Sequence, residues 1–205
     1  MKRWIAVTAM VMGLAAAAPA YAQESTPGAG AVVVTIIPGG VTFFTQGKNT
    51  GAPSFANYGA GASVEVHVNR FVSLEGNVTD AIGVTQNLDL TNGTGSFKTP
   101  NLLDYSGNLV VSFANGSGFV PYVTGGAGGL TIFDESSVGI NNTATLFTGN
   151  VGGGLKWFNS SARWGVRADY RFIAVRTKDD VPAFFGHETR YGHRVFGAVM
   201  VNVGR

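Results

Sequence analysis

The chain has 205 residues, enough for one domain, with 13% charged residues, 45% hydrophobic residues and 30 glycines. That charge content is about half of what a soluble domain carries, so an ordinary water-facing surface is hard to build from it, and the plentiful Val, Leu, Ile and Phe exclude a disordered chain. There is no cysteine, which excludes disulfide scaffolds, thiolate metal sites, cysteine nucleophiles and a lipid-modified amino-terminal cysteine.

Residues 1–22 read as a cleaved export signal. Lys2 and Arg3 precede an apolar run from Trp4 to Ala18, and Ala20-Tyr21-Ala22 supplies the small-x-small cleavage pattern, with Gln23 as the expected new amino terminus. The run is shorter than the about 20 residues of a membrane helix. Cleavage takes two of the 14 basic residues and none of the 12 acidic ones, leaving 12 against 12. The mature chain is therefore neutral, and no basic field remains to attract nucleic acid. Residues 23–30 form a flexible lead-in, and 31–205 form the single remaining domain.

From residue 31 the dominant hydrophobic period is two. The first segment, about 31–46, contains Pro38-Gly39-Gly40 and is expected to bend or bulge. In the second, Tyr58, Ala60, Ala62, Val64, Val66 and Val68 alternate with Gly59, Gly61, Ser63, Glu65 and His67. The third sets Val72, Leu74, Val78 and Ile82 against Ser73, Glu75, Asn77 and Thr79. Near residue 105, Leu103, Tyr105, Leu109, Val111 and Phe113 oppose Asp104, Ser106, Asn108 and Ser112. Segments at about 118–132 and 145–158 are less clean. Trp164, Val166, Ala168, Tyr170, Phe172 and Ala174 then alternate with Gly165, Arg167, Asp169 and Arg171, and an eighth segment covers about 190–203. Such alternation marks strands with two unlike faces.

The connections alternate in length. Asn69-Arg70, Asn115-Gly116-Ser117 and Asn159-Ser160-Ser161 are tight, whereas 47–54, 84–100, 133–144 and 177–189 are long. An up-and-down barrel with these connections has all its short turns at one rim and all its long loops at the other, as membrane barrels do. A soluble barrel would turn its apolar face inward, but the polar face here is mostly Gly, Ser and Thr, which suits a crowded lumen better than a solubilising surface. Aromatic residues also flank the short turns: Phe71, Phe113, Phe119, Trp157 and Trp164. Arg167 and Arg171 facing lipid would cost about 2–4 kcal/mol each near the midplane, which selects the register that turns them inward.

Phe119-Val-Pro-Tyr-Val-Thr-Gly-Gly-Ala-Gly-Gly129, Val151-Gly-Gly-Gly-Leu-Lys-Trp157 and Trp164-Gly-Val-Arg-Ala-Asp-Tyr-Arg171 resemble the small bacterial outer-membrane β-barrel family, which includes the OmpA transmembrane domain and the OmpX/Ail proteins. The resemblance covers nearly the whole mature chain. It implies an all-β, eight-stranded antiparallel up-and-down transmembrane barrel in the outer membrane, and a role among the adhesins, structural anchors and stress proteins of that family. Two departures stand out. Many members end in phenylalanine, whereas this chain ends Val203-Gly204-Arg205, and the peptidoglycan attachment of full OmpA proteins does not carry over.

The inward register gathers Glu65, Glu75, Asp104 and Asp169 against Lys156, Arg167, Arg171 and Arg194, with His67 nearby, and predicts a lumenal ion-pair network that plugs the barrel. Glu65-x-His67, with Glu75 on the next strand, is too incomplete a set to name a metal site. His187, Glu188 and His193 form no recognisable catalytic arrangement, and Gly149 to Lys156 lacks phosphate-loop spacing. No cofactor is expected. The partners expected are outer-membrane lipid and a surface or envelope protein met through the long loops. Residues 84–100 read as a mobile polar loop. Phe184 and Phe185, in an apolar loop, are candidates for external contact or for packing on the rim. The sequence thus points to a structural or surface-interaction protein without catalysis. The alternatives are a lipid-modifying barrel enzyme and a secreted soluble barrel that binds a small apolar ligand.

Overall fold

The computed structural model describes residues 26–47, 51–90, 93–114, 118–177 and 184–204. The export signal read at 1–22 lies outside them, as does the expected turn at Asn115-Gly116-Ser117.

The period-two segments become β1 (Val32–Phe44), β2 (Phe55–His67), β3 (Val72–Ile82), β6 (Leu102–Ser112), β7 (Phe119–Ile132), β8 (Ala144–Phe158), β9 (Trp164–Arg176) and β10 (Arg190–Asn202). All eight pair antiparallel and close in the order β1-β10-β9-β8-β7-β6-β3-β2. Closure leaves no unpaired edge, a requirement for any backbone that meets hydrocarbon. In the second strand Val64 and Val66 face out, and Ser63, Glu65 and His67 face in and are buried. The third, sixth and ninth strands follow the same rule, with Leu74, Val78, Leu109, Val166 and Tyr170 on the outer wall and charge at outward positions only toward the loop end, at Asp80 and Arg176. The register chosen on the cost of lipid-facing arginine is the one observed: Arg167 and Arg171 are about as buried as any residue in the chain.

Asn69 Oδ1 accepts the backbone N–H groups of Phe71 (2.8 Å) and Val72 (2.9 Å), which closes the first tight turn. The third runs further than Asn159-Ser160-Ser161. Asn159 Oδ1 accepts from Arg163 N (3.1 Å), and Ala162 adopts a left-handed φ of 51° before β9 begins. β1 carries the expected irregularity, a register shift between Ile36 and Gly39 against β10. Pro38 has no N–H to give the ladder. Its carbonyl instead accepts the Tyr58 hydroxyl at 2.6 Å, and that ring lies across Gly39, where a Cβ would come within 2.5 Å of the hydroxyl oxygen.

The segment 84–100 departs from expectation. It is not a plain loop but holds a hairpin, β4 (Thr85–Leu90) and β5 (Gly93–Lys98), paired as a separate two-stranded sheet. Its alternation is genuine, since Gln86, Leu88 and Leu90 share one face with Phe97. Only three of those side chains are apolar, too few to stand out among Thr, Asn, Asp and Gly.

Aromatic girdles mark both ends of the outer wall. Trp157 packs edge-on to Trp164 (5.4 Å) and near Phe119 (6.4 Å) at the turn end. Phe172 stacks on Tyr191 (5.5 Å) and meets His193 toward the loop end. Leu155, paired with Ala168 midway from Trp164 to Phe172, is 42% exposed on the wall between these girdles. Leu155→Arg is expected to destabilise the barrel in lipid vesicles by about 2–4 kcal/mol. Ser161→Arg, in a water-facing turn, should leave the denaturant midpoint unchanged in the same measurement.

Candidate functional site in the barrel lumen

On β9, Arg167, Asp169 and Arg171 are spaced by two and so enter the lumen as a stack. Glu65 and Glu75 stand directly opposite each other on β2 and β3, and Lys156 reaches them across the barrel from β8. Its Nζ donates to both Glu65 oxygens at 2.6 and 2.7 Å. Ser73 adds a hydroxyl donor to Glu65 at 2.5 Å, and His67 Nε2 lies 3.5 Å from the same carboxylate. Arg167 forks, with Nη1 on Glu75 and Nη2 on Asp169 at 2.6 Å. Arg171 spans the same two acids, Nη2 to Glu75 at 2.6 Å and Nε to Asp169 at 3.0 Å. Three acids thus meet three bases, joined where Arg167 approaches Glu65 at 3.9 Å. Arg194 and Asp104 form a separate pair at 3.0 Å, nearer the loop end. The structure therefore brings together all nine lumenal residues singled out in the sequence, as one large cluster and one pair.

Several partners escaped the sequence reading. Tyr122 accepts Arg167 Nε at 2.7 Å and donates its hydroxyl to Asp169, while its ring lies under Lys156 Nζ (4.8 Å) and Arg167 Cζ (4.7 Å). Such a face suits desolvated cations. Asn108 donates to Glu75 (3.1 Å), Ser63 donates to Glu75 (3.3 Å), and Phe196 lies beneath Arg167 and Arg171. Tyr122 could have been found from alternation, because Pro121 and Val123 face out and force it inward. Glycine provides the room: a Cβ at Gly154 would stand 2.7 Å from the Tyr122 hydroxyl, and one at Gly152 3.0 Å from Arg171 Cγ.

At the loop end the lumen turns apolar. Phe44, Phe55, Leu102, Leu130, Ile132, Leu146 and Val175 from six strands form one buried cluster with Leu88 of the hairpin and Phe184 and Phe185 of the β9–β10 connection. Of the two placements open to Phe184 and Phe185, external contact or packing on the rim, the structure puts both side chains in the mouth of the barrel. They are 5% and 0% exposed and sit against Phe55 (5.2 Å) and Phe44 (5.3 Å). Two aromatic rings gain more from an apolar barrel mouth than from water. A smaller cluster of Val33, Val120, Phe158 and Met200 lies at the turn end.

The hairpin is tied to its surroundings. Gln86 bonds both backbone groups of Ala56 (3.1 and 2.7 Å), Thr99 bonds Asn57 (2.7 Å), and Lys98 pairs with Glu135 at 2.9 Å. Among the described residues no group of three His, Asp or Glu is placed to hold a metal ion. His193 is on the outer wall, its Nδ1 2.8 Å from the Tyr170 hydroxyl, and His187 is exposed in a loop.

Residues 6–195 match the family described as "Outer membrane protein beta-barrel domain". Comparison with curated proteins gives no match. Among solved structures, Neisserial surface protein A is similar over 85% of this chain and 98% of its own, at 12% identity and a TM-score of 0.56. The N-terminal β-barrel domain of Pseudomonas aeruginosa OprF is similar over 86% and 99%, at 15% and 0.52. Ail, the attachment invasion locus protein of Yersinia pestis, in complex with the heparin analogue sucrose octasulfate, is similar over 84% and 98%, at 17% and 0.50. At these identities the likeness is one of fold.

Arg167→Met strands Glu75 and Asp169 among fewer donors and should cost about 3–5 kcal/mol in equilibrium unfolding from lipid vesicles. The double change Arg167→Met with Glu75→Gln should cost less than the sum of the singles, because the two groups share one interaction. At the hairpin, the hydrogen bond from Lys98 holds the Glu135 carboxyl below its ordinary value. A lowered pKa contributes order above the ordinary carboxylate range and loses it as pH falls through the lowered value. Hydrogen exchange of β5 amides, corrected for intrinsic rates, should therefore accelerate on acidification, and Glu135→Gln should show the faster rate already at neutral pH.

Proposed function

The chain belongs to the outer-membrane β-barrel family and resides in the outer membrane, and from that premise we propose that it is a non-catalytic structural or surface-interaction protein of adhesin-like type. The short turns face the periplasm, the long connections face outward, and the lumen is plugged by its ion-pair network. The observation that carries this reading is the charge balance of that network. Three bases and three acids span the lumen between β2, β3, β8 and β9, and almost every charged group has two or more partners. An eight-stranded barrel has an interior just wide enough for its side chains, so such a cluster leaves no aqueous path.

The outward surface supports the interaction role. The hairpin fixes one face on the mouth through Gln86, Leu88 and Phe97 and turns Thr85, Asn87, Asp89, Thr94, Ser96 and Lys98 to the other side. This gives a held, polar platform in place of a floppy loop. Of the similar folds, Ail carries attachment in its name and was solved with a sulfated ligand.

Reconstituted protein should show no steady single-channel conductance in a planar bilayer; a stable open level would refute the plug. Non-adherent bacteria expressing the chain should gain attachment to cultured cells, and Asn87→Ala/Asp89→Ala/Ser96→Ala should remove that gain while surface exposure and heat-modifiable migration are retained. Full attachment by the triple variant, or none by the parent chain, would defeat the adhesin-like role. Lipid A from the same cells should keep its mass spectrum, and an altered acyl pattern would restore the enzyme alternative.

A further inference from the structure

Arg190 opens β10 at the loop end and points inward, where it is 1% exposed. Only one of its nitrogens is engaged, Nη2 with the carbonyl of Pro53 at 2.7 Å. Nε and Nη1 have no partner. The guanidinium instead lies over the ring of Phe185, 5.5 Å from its centroid. Among the described residues every other buried base of the lumen has a carboxylate within salt-bridge distance, as the pairs of Lys156, Arg167, Arg171 and Arg194 show, whereas Arg190 has only the more distant charge of Glu188. A buried cation with two idle donors in apolar surroundings is costly, and a bound anion is the usual compensation.

The surroundings define what kind of anion. Phe185 occupies an aromatic slot, with Phe44 at 5.3 Å edge-on and Phe55 at 6.0 Å. Phe185 reaches this slot from a connection between strands, so its position is not fixed by barrel hydrogen bonding, whereas the slot walls and Arg190 belong to strands. A cleft of about 280 Å³ between the β1–β2 and β9–β10 connections, lined by Thr45, Gln46, Glu188, Thr189 and Arg190, lies beside the slot and shares Arg190 with it. Glu188 on that rim disfavours a multiply charged ligand, leaving a monoanion as the better match.

We propose that the outer mouth is a binding site for a small aromatic carboxylate, whose ring takes the slot now filled by Phe185 and whose carboxylate engages Nε and Nη1 of Arg190. Phe184-Phe185 is then a tethered stand-in ligand that competes from within the chain. A tethered competitor lowers apparent affinity by the fraction of time the slot is free. This site is separate from the ion-pair cluster and stands whether or not the lumen conducts.

The test uses the full chain reconstituted in nanodiscs, with 2-naphthoate as the fluorescent probe and uncharged 2-naphthamide as control. Phe185→Ala should bind 2-naphthoate at least about tenfold more tightly than the parent chain, because the competitor is gone. Adding Arg190→Met to Phe185→Ala should lose about tenfold or more for naphthoate, in keeping with a charge-assisted pair, and leave naphthamide unchanged. Heat-modifiable migration confirms that each variant is folded. Arg190→Lys, which keeps the charge but not the fork, provides a second folded variant with intermediate affinity expected. Equal naphthoate binding by parent and Phe185→Ala would overturn the stand-in role, and equal binding with and without Arg190 would overturn the site. Conductance is read in a different assay, so a failed plug and a failed binding site give distinguishable results.

Discussion

Charge cannot face hydrocarbon, and that single constraint orders the molecule. In a strand, successive side chains point to opposite sides, so once Arg167 and Arg171 are excluded from lipid the facing of every residue on β9 is settled. Ladder pairing passes the choice from strand to strand. Lys156 opposes Arg167 across β8–β9, Asp169 opposes Phe196 across β9–β10, and Glu65 opposes Glu75 across β2–β3. A slip of one residue in β2, β3, β6, β9 or β10 would turn Glu65, Glu75, Asp104, Arg167 or Arg194 into the membrane, and the closed barrel allows no strand to slip alone.

The inward charges then need one another. Two glutamates opposite each other on adjacent strands would repel, and neither could be moved into lipid. Lys156 answers one, Arg167 and Arg171 answer the other, and Tyr122 bridges the bases to Asp169. Large side chains crossing a narrow lumen need bare walls. Gly152 and Gly154 on β8 pair directly with Arg171 and Asp169 and leave the wall bare beside them. The composition that looked unsuitable for a soluble surface is what an ion-filled barrel requires.

Alternation and the alternating lengths of the connections made the barrel, its register and nine inward residues legible, eight charged groups and His67, because each follows from local pattern plus one energetic rule; Arg190, buried at the very start of β10, was not among them. The partner assignments were not legible: that Lys156 selects Glu65 rather than Glu75 depends on barrel stagger, which no single strand encodes. Tyr122 was hidden for a simpler reason: it carries no charge, and only its place in the register brings its hydroxyl between Arg167 and Asp169. The hairpin at 85–98 was missed because its strands are six residues each and mostly polar, so their burial on the mouth depends on three apolar side chains. For Phe184 and Phe185 the sequence left contact outside and packing on the rim both open, because the apolar barrel mouth that receives them is assembled from several strands and no single segment displays it.

The two ends of the lumen differ in a way that bears on function. The turn end closes with Val33, Val120, Phe158 and Met200, all on strands and therefore fixed by the ladder. The loop end closes with strand residues plus Leu88, Phe184 and Phe185, which come from connections and are held by packing, a few side-chain hydrogen bonds and one exposed ion pair. Packing of this kind opens at lower free energy than a closed ladder, since elements outside the barrel can detach without breaking inter-strand bonds. The loop end is thus the one that opens at lower cost, and Arg190, charged, buried and only partly engaged among the described residues, lies at that end. An inert cap would have been better served by an apolar residue there, because a methionine or leucine of similar reach would fill the same space without two idle donors.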